Sequence, residues 1–318
     1  MPQLVTLGET MVVFDPLSTG PLRYTDQFKK RIGGAESNVA LGVARLGHQV
    51  GWVSKVGNDP LGEYMVSTIR GEGVDTSKVA YDEDAPTGLY IKEKIREGTN
   101  QVYYYRHGSA ASQLRVEDID WDYLREAEII HLTGITPFIS DRCLEVAQAV
   151  ASFANQHGIF LSFDPNLRMK LLKKKADHKK ILLELASKAN LVMPGLDEAK
   201  YLLDTDDSDQ IIDYFFQHNV EHVIIKNGEV GTTFASRQGD KGFVPSFPVA
   251  RVVDPIGAGD GFAAGVLSSL LEHRPLQEAV EQGALIGAIM VSTPGDIEGL
   301  PSRQEIELYK NTQGDVVR

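Results

Sequence analysis

Short apolar runs alternate along this chain with longer stretches whose apolar positions recur at helical spacing. The runs at 4–8, 50–56, 128–132, 159–163, 191–193 and 222–226 read as strands, and 37–46, 144–156, 179–188 and 210–217 read as helices between them. Such alternation predicts a mostly parallel central sheet flanked by crossover helices, an α/β fold. One region breaks the rhythm. Residues 88–96 and 101–106 alternate with period two around Glu97-Gly98-Thr99-Asn100, the pattern of a β-hairpin. Together with 10–31 it predicts a small sheet projecting from the core. The stretch 262–271 is too rich in small and aliphatic residues for a surface helix and reads as a buried one. No internal repeat, low-complexity segment or flexible linker interrupts the chain, so residues 1–318 read as one domain.

Composition narrows the classes. The 318 residues are 42% hydrophobic and 24% charged, as in an ordinary soluble globular protein able to bury a full core. A net charge of −12 argues against nucleic acid and anionic membrane as partners. No apolar run reaches the ~18 residues of a membrane span. Met1-Pro2-Gln3-Leu4-Val5 leads directly into a strand pattern without a charged and then apolar leader. Cys143 is the single cysteine, so a disulfide within the chain is impossible, and a cytoplasmic location is expected. No Gly-x-x-x-x-Gly-Lys-Ser/Thr loop and no Gly-x-Ser-x-Gly elbow occurs, and the eight histidines lack zinc-ligand spacing.

The chemistry concentrates in Asp254-Pro255-Ile256-Gly257-Ala258-Gly259-Asp260-Gly261-Phe262, where a loop becomes a helix. Unpaired N–H groups and the positive end of the helix dipole make such a start an anion site. Gly257, Ala258 and Gly259 let a phosphate approach the main chain, and Asp260 stands beside them as a potential base. Asp254 is the alternative base, but it precedes the loop, where a structural hydrogen bond suits it better.

A second segment, Gly33-Gly34-Ala35-Glu36-Ser37-Asn38-Val39-Ala40-Leu41-Gly42-Val43-Ala44-Arg45-Leu46-Gly47, is followed by the strand-like 51–57. With the segment from Asp254 to Leu267 it resembles the two signature regions of the ribokinase-like sugar kinases, the PfkB family. Asn38, Ala40, Gly47 and Gly57 fall at the family's intervals, and so do Asp254, Gly257, Ala258, Gly259, Asp260, Ala264 and Gly265. The resemblance extends over essentially the whole chain. It departs at Ala35-Glu36-Ser37, filled differently than in many members, and at Gly195-Leu196-Asp197-Glu198, where many relatives have Asn-x-x-Glu.

The resemblance implies a ribokinase-like fold whose small β-sheet, formed by about 10–33 and 86–107, is a lid over the sugar. It implies ATP and Mg²⁺ as cofactors, with Glu198 organising the metal and its waters indirectly. ATP would lie along Lys226-Asn227-Gly228-Glu229-Val230-Gly231, with Asn166 and Arg168 near the phosphates, while 283–292 resembles the wall of an adenine pocket. Asp260 would take the proton of the attacking hydroxyl while the Gly257 to Asp260 amides stabilise the transferred group. The segment 103–112, with 33–38, looks like 2-keto-3-deoxygluconate kinases. On that reading Gly34 and Asn38 hold sugar hydroxyls, Tyr90 and Tyr104 flank the chain, and Arg106 with Arg168 binds the carboxylate. A fructokinase or other ketose kinase is the alternative, and a sugar- or nucleotide-sensing protein without turnover is the second. A homo-oligomer formed through the lid edge is a further expectation.

Overall fold

The apolar runs pair side by side in the computed structural model, which describes residues 1–96, 99–173 and 175–315. In chain order the strands are β1 (Leu4–Leu7), β2 (Met11–Pro16), β3 (Phe28–Gly33), β4 (Val50–Gly57), β5 (Val79–Asp82), β6 (Leu89–Arg96), β7 (Thr99–Tyr105), β8 (Ile129–Thr133), β9 (Phe160–Asp164), β10 (Leu191–Val192), β11 (His222–Asn227), β12 (Gly231–Ser236) and β13 (Lys241–Pro245). Nine of them form one sheet in the order β13-β12-β11-β10-β9-β8-β1-β4-β5. Pairing is parallel from β5 across to β11 and antiparallel through β12 and β13.

The central strands are apolar on both faces because helices cover both. Leu4 packs with the helices Ala35–Arg45, Ala258–Leu271 and Leu276–Met290, while Val5 and Leu7 point the other way, toward Asp141–His157 and His178–Ala186. Cys143 lies in that second layer, its thiol donating to the Ala111 carbonyl at 3.3 Å, and burial pushes its pKa up to about 11. Among the described residues no helix is long and apolar enough to cross a membrane.

The remaining strands make a four-stranded sheet in the order β3-β2-β6-β7. The expected hairpin is there, with a shorter connection: Thr99 and Asn100 belong to β7, and Glu97 and Gly98 lie outside the described residues. The small sheet is tied to the segment after the helix Leu276–Met290. Arg31 on β3 donates to the Pro294 carbonyl at 3.3 Å and to Glu298. From β6, Tyr90 Oη donates to Asp296 at 2.9 Å and Lys92 Nζ at 3.1 Å.

One boundary matters for the site. The buried helix expected from 262 starts at Ala258, with Gly257 at the N-cap position, so Asp260 sits inside its first turn.

Candidate active site

Small residues set the distances here. A Cβ on Gly42 would lie 2.6 Å from the Ala264 Cβ, and one on Gly265 would lie 2.8 Å from the Gly283 Cα. The helices Ala35–Arg45, Ala258–Leu271 and Leu276–Met290 therefore meet almost backbone to backbone. This approach brings Asn38, in the first helix, to 2.7 Å from Asp260, in the second, with Asn38 Nδ2 donating to Asp260 Oδ2.

Gly257 opens the second helix in the left-handed region, at φ 79°, and a Cβ there would lie 2.6 Å from the Asp296 carbonyl oxygen. Only glycine suits that position. The first N–H groups of a helix lack intrahelical partners, and a Cβ on Gly259 would meet nothing within 4 Å, so this turn borders open space. Asp260 is 8% exposed. Burial pushes its carboxyl up to about 7, against the opposing effects of the Asn38 hydrogen bond and the Arg168 charge. The charges of Asp164 and Asp296 push the same way as burial.

The end of β9 supplies the neighbouring groups. Asn166 holds a left-handed φ of 41°, its N–H donating to Asp164 Oδ1 at 3.1 Å and its side-chain amide reaching Asp260 Oδ1 at 3.4 Å. Lys226, next to last in β11, donates to Asp164 Oδ2 at 2.5 Å. Burial alone would lower its pKa, but the carboxylates of Asp164 and Glu198 outweigh burial and raise it. Glu198 accepts the Leu167 N–H at 2.6 Å and the Gly195 N–H at 2.8 Å, and burial followed by the Asp164 charge raises its pKa. Arg168 is exposed beside this group. Gly228 and Gly231 bracket the turn joining β11 to the antiparallel β12. Asp254 accepts the Ile256 N–H at 3.1 Å, a local turn bond.

Across from these lies the small sheet. Tyr90 and Tyr104 face each other on β6 and β7, ring centroids 5.5 Å apart, with the Tyr90 hydroxyl committed to Asp296. The Arg106 guanidinium lies 5.9 Å from the Tyr104 ring centroid. Arg106, expected at the substrate carboxylate, already has a partner within the chain. Its Nε donates to Glu9 Oε2 at 2.7 Å, and Ser109 donates to Glu9 Oε1 at 2.6 Å. Gly34 abuts the Glu9 carbonyl oxygen, 2.6 Å from where a Cβ would stand.

Four residues of this group escape sequence reasoning: Glu9, Lys92, Asp296 and, as a contact, Glu36. Glu36 is buried in the first turn of its helix and accepts from Thr133 Oγ1 at 2.6 Å and Thr136 Oγ1 at 2.8 Å. Its place in the unusual Ala35-Glu36-Ser37 stretch was the one signal for it. The other three stand alone in their segments, and their partners are distant in sequence.

A family model of the pfkB family carbohydrate kinases matches residues 1–303. The chain belongs to that family. This kinase is similar to the 2-dehydro-3-deoxygluconokinase of Bacillus subtilis (strain 168), at 40% identity over 313 residues, 98% of this chain and 96% of that protein. A PfkB protein from Polaromonas sp. JS666 has a crystal structure with a TM-score of 0.89 and 37% identity, covering 96% of the kinase and 99% of that chain. A fructokinase from Xylella fastidiosa, solved with bound ATP, superposes with a TM-score of 0.87 at 25% identity, covering 99% and 100% of the two chains.

Proposed function

We propose that the kinase transfers the γ-phosphoryl group of ATP to the terminal hydroxyl of 2-keto-3-deoxygluconate (2-dehydro-3-deoxygluconate). The observation that carries the reaction type is Asp260. It is a buried carboxyl raised to about 7, held by two amides, in the first turn of a helix that opens on a left-handed glycine. A base with its pKa near working pH takes a hydroxyl proton efficiently. The helix start next to it offers N–H groups to the transferred group's oxygens. The relative at 40% identity supports the sugar acid as acceptor, and the ATP-bound fructokinase supports ATP as donor.

Mg²⁺ enters with ATP as part of that substrate and neutralises phosphate charge. Both Glu198 oxygens already accept backbone N–H groups, which suits an indirect role toward the ion's waters. Lys226, Gly228, Gly231, Asn166 and Arg168 would line the nucleotide side, with Gly257, Ala258 and Gly259 at the γ-phosphate. Gly34, Asn38, Tyr90 and Tyr104 would hold the sugar under the small sheet acting as a lid, and Arg106 with Arg168 would take the carboxylate.

One observation favours a second reading. Because Glu9 already compensates the charge of Arg106, a neutral ketose such as fructose is a chemically reasonable acceptor. Coupled-assay measurement of ATP consumption with the keto-acid and with fructose decides between them, and kcat/KM is expected to be higher for the keto-acid. Asp260→Asn is expected to lower kcat by roughly 10² to 10⁴ while ATP still binds, the range for losing a positioned base. Near-normal turnover in that variant would remove Asp260 from the role and turn attention to Asp254.

A further inference from the structure

Glu9 stands just beyond β1, at the carboxyl end of the sheet, and solvent reaches none of its side chain. A carboxylate is buried at high cost unless charged and polar partners satisfy it. Here every partner is in place. Oε2 takes Arg106 Nε at 2.7 Å and Nη2 at 2.5 Å, and Oε1 takes the Ser109 hydroxyl at 2.6 Å. The space is built as well: a Cβ on Gly88 would lie 2.6 Å from Glu9 Oε1, and one on Gly34 would lie 2.6 Å from the Glu9 carbonyl oxygen.

The consequence lies in which part of the guanidinium is used. Arginine presents five N–H groups in a fixed planar fork, so holding one edge fixes the direction of the others. Glu9 holds the Nε–Nη2 edge. Nη1 has no hydrogen-bond partner among the described residues, and the Nη1–Nη2 end remains to face a second carboxylate with two parallel N–H groups. A long side chain that is already oriented loses less freedom when it binds.

We propose that Glu9 is the positioning residue that aims Arg106 at the sugar-acid carboxylate, so that preference for an acid over a neutral ketose depends on a side chain the substrate does not touch. This rests on the keto-acid reading given above. Orientation and net charge predict opposite outcomes for Glu9→Gln. If Arg106 worked by charge alone, removing the adjacent negative charge would strengthen acid binding. If Glu9 aims the fork, the same change weakens it.

The test is steady-state kinetics of the full-length wild type, Glu9→Gln and Ser109→Ala on 2-keto-3-deoxygluconate and on fructose at saturating ATP, with a melting temperature for each protein. For Glu9→Gln the KM for the keto-acid is expected to rise about tenfold, the scale of one charge-assisted hydrogen bond, with kcat and the fructose KM changed much less. Ser109→Ala, which frees Oε1 and leaves the ion pair, should shift the acid-to-fructose ratio of kcat/KM the same way by a smaller factor. It carries the test if Glu9→Gln does not fold. A ratio that stays constant or rises in the folded variants overturns the positioning role and leaves the keto-acid reading standing. A wild type that phosphorylates fructose and not the acid overturns both.

Discussion

Asp260 shows how burial and hydrogen bonding oppose each other at a single residue. Burial favours the neutral acid, while the Asn38 amide favours the carboxylate. In its proposed role as the base Asp260 acts deprotonated, so kcat/KM for the sugar is expected to rise with pH through a limb near 7. Asn38→Ala removes the stabilising donor, so its limb should move to higher pH, and a pH profile of the two proteins checks this. An unshifted limb would assign that ionisation to another group. The same raised pKa bears on stability with the opposite sense. Between the unfolded carboxylate value near 4 and about 7 the folded chain holds a proton that the unfolded chain releases, so this group's contribution to stability declines as pH rises across that window. Asp260 and Asn38 were legible in sequence because each sits in a segment of distinctive spacing. Glu9 was not, since a lone carboxylate after a strand looks solvated until Arg106, 97 positions away, is seen to cover it.

At the scale of elements, the site depends on how closely three helices approach. Gly265→Val would force its branched side chain against the Gly283 backbone, and overpacking of this kind costs roughly 1 to 3 kcal/mol. The expected result is a lower melting temperature and reduced kcat, because displacing the helix Ala258–Leu271 from Leu276–Met290 also displaces the Asp260 that it carries. A variant with wild-type melting behaviour would show that the contact relaxes without loss. The buried strands and the small-sheet hairpin were readable from periodicity alone. The start of the helix Ala258–Leu271 was misplaced because Gly257-Ala258-Gly259 has the composition of a loop, whereas the backbone turns helical as soon as Gly257 supplies its positive φ. The strands β5, β12 and β13 were passed over for another reason. β5 and β13 are short edge strands with exposed positions and carry little of the alternation that marks a buried one, and β12, buried between β11 and β13, holds a single large apolar residue, Phe234.

For the molecule as a whole, one face of the small sheet packs on the main core through Val12, Phe14, Ile32 and Leu89, and polar ties join it as well, Arg31 to Pro294 and Glu298, and Tyr90 and Lys92 to Asp296. A sheet with so small a core of its own is expected to exchange its amide hydrogens faster than the nine-stranded sheet. Adding the keto-acid should slow exchange in β6 and β7 if that sheet closes on the sugar. Equal protection with and without saturating substrate would mean that it is already set. Following such closure in solution calls for optical probes, and here the solitary thiol of Cys143 has a practical use. Sealed in the core with its pKa pushed up to about 11, it has a thiolate fraction on the order of 10⁻³ or less near neutral pH. A maleimide dye is expected to leave the native protein unmodified and to label one site per chain in guanidinium, and rapid native labelling would contradict the buried placement. The natural sequence therefore already serves as a silent background for fluorescence work. Leu17→Cys beside the small sheet and Val230→Cys at the β11–β12 turn, both at well-exposed positions, would carry a donor and an acceptor dye that read the separation of those two regions as substrate arrives, with the native thiol left in place.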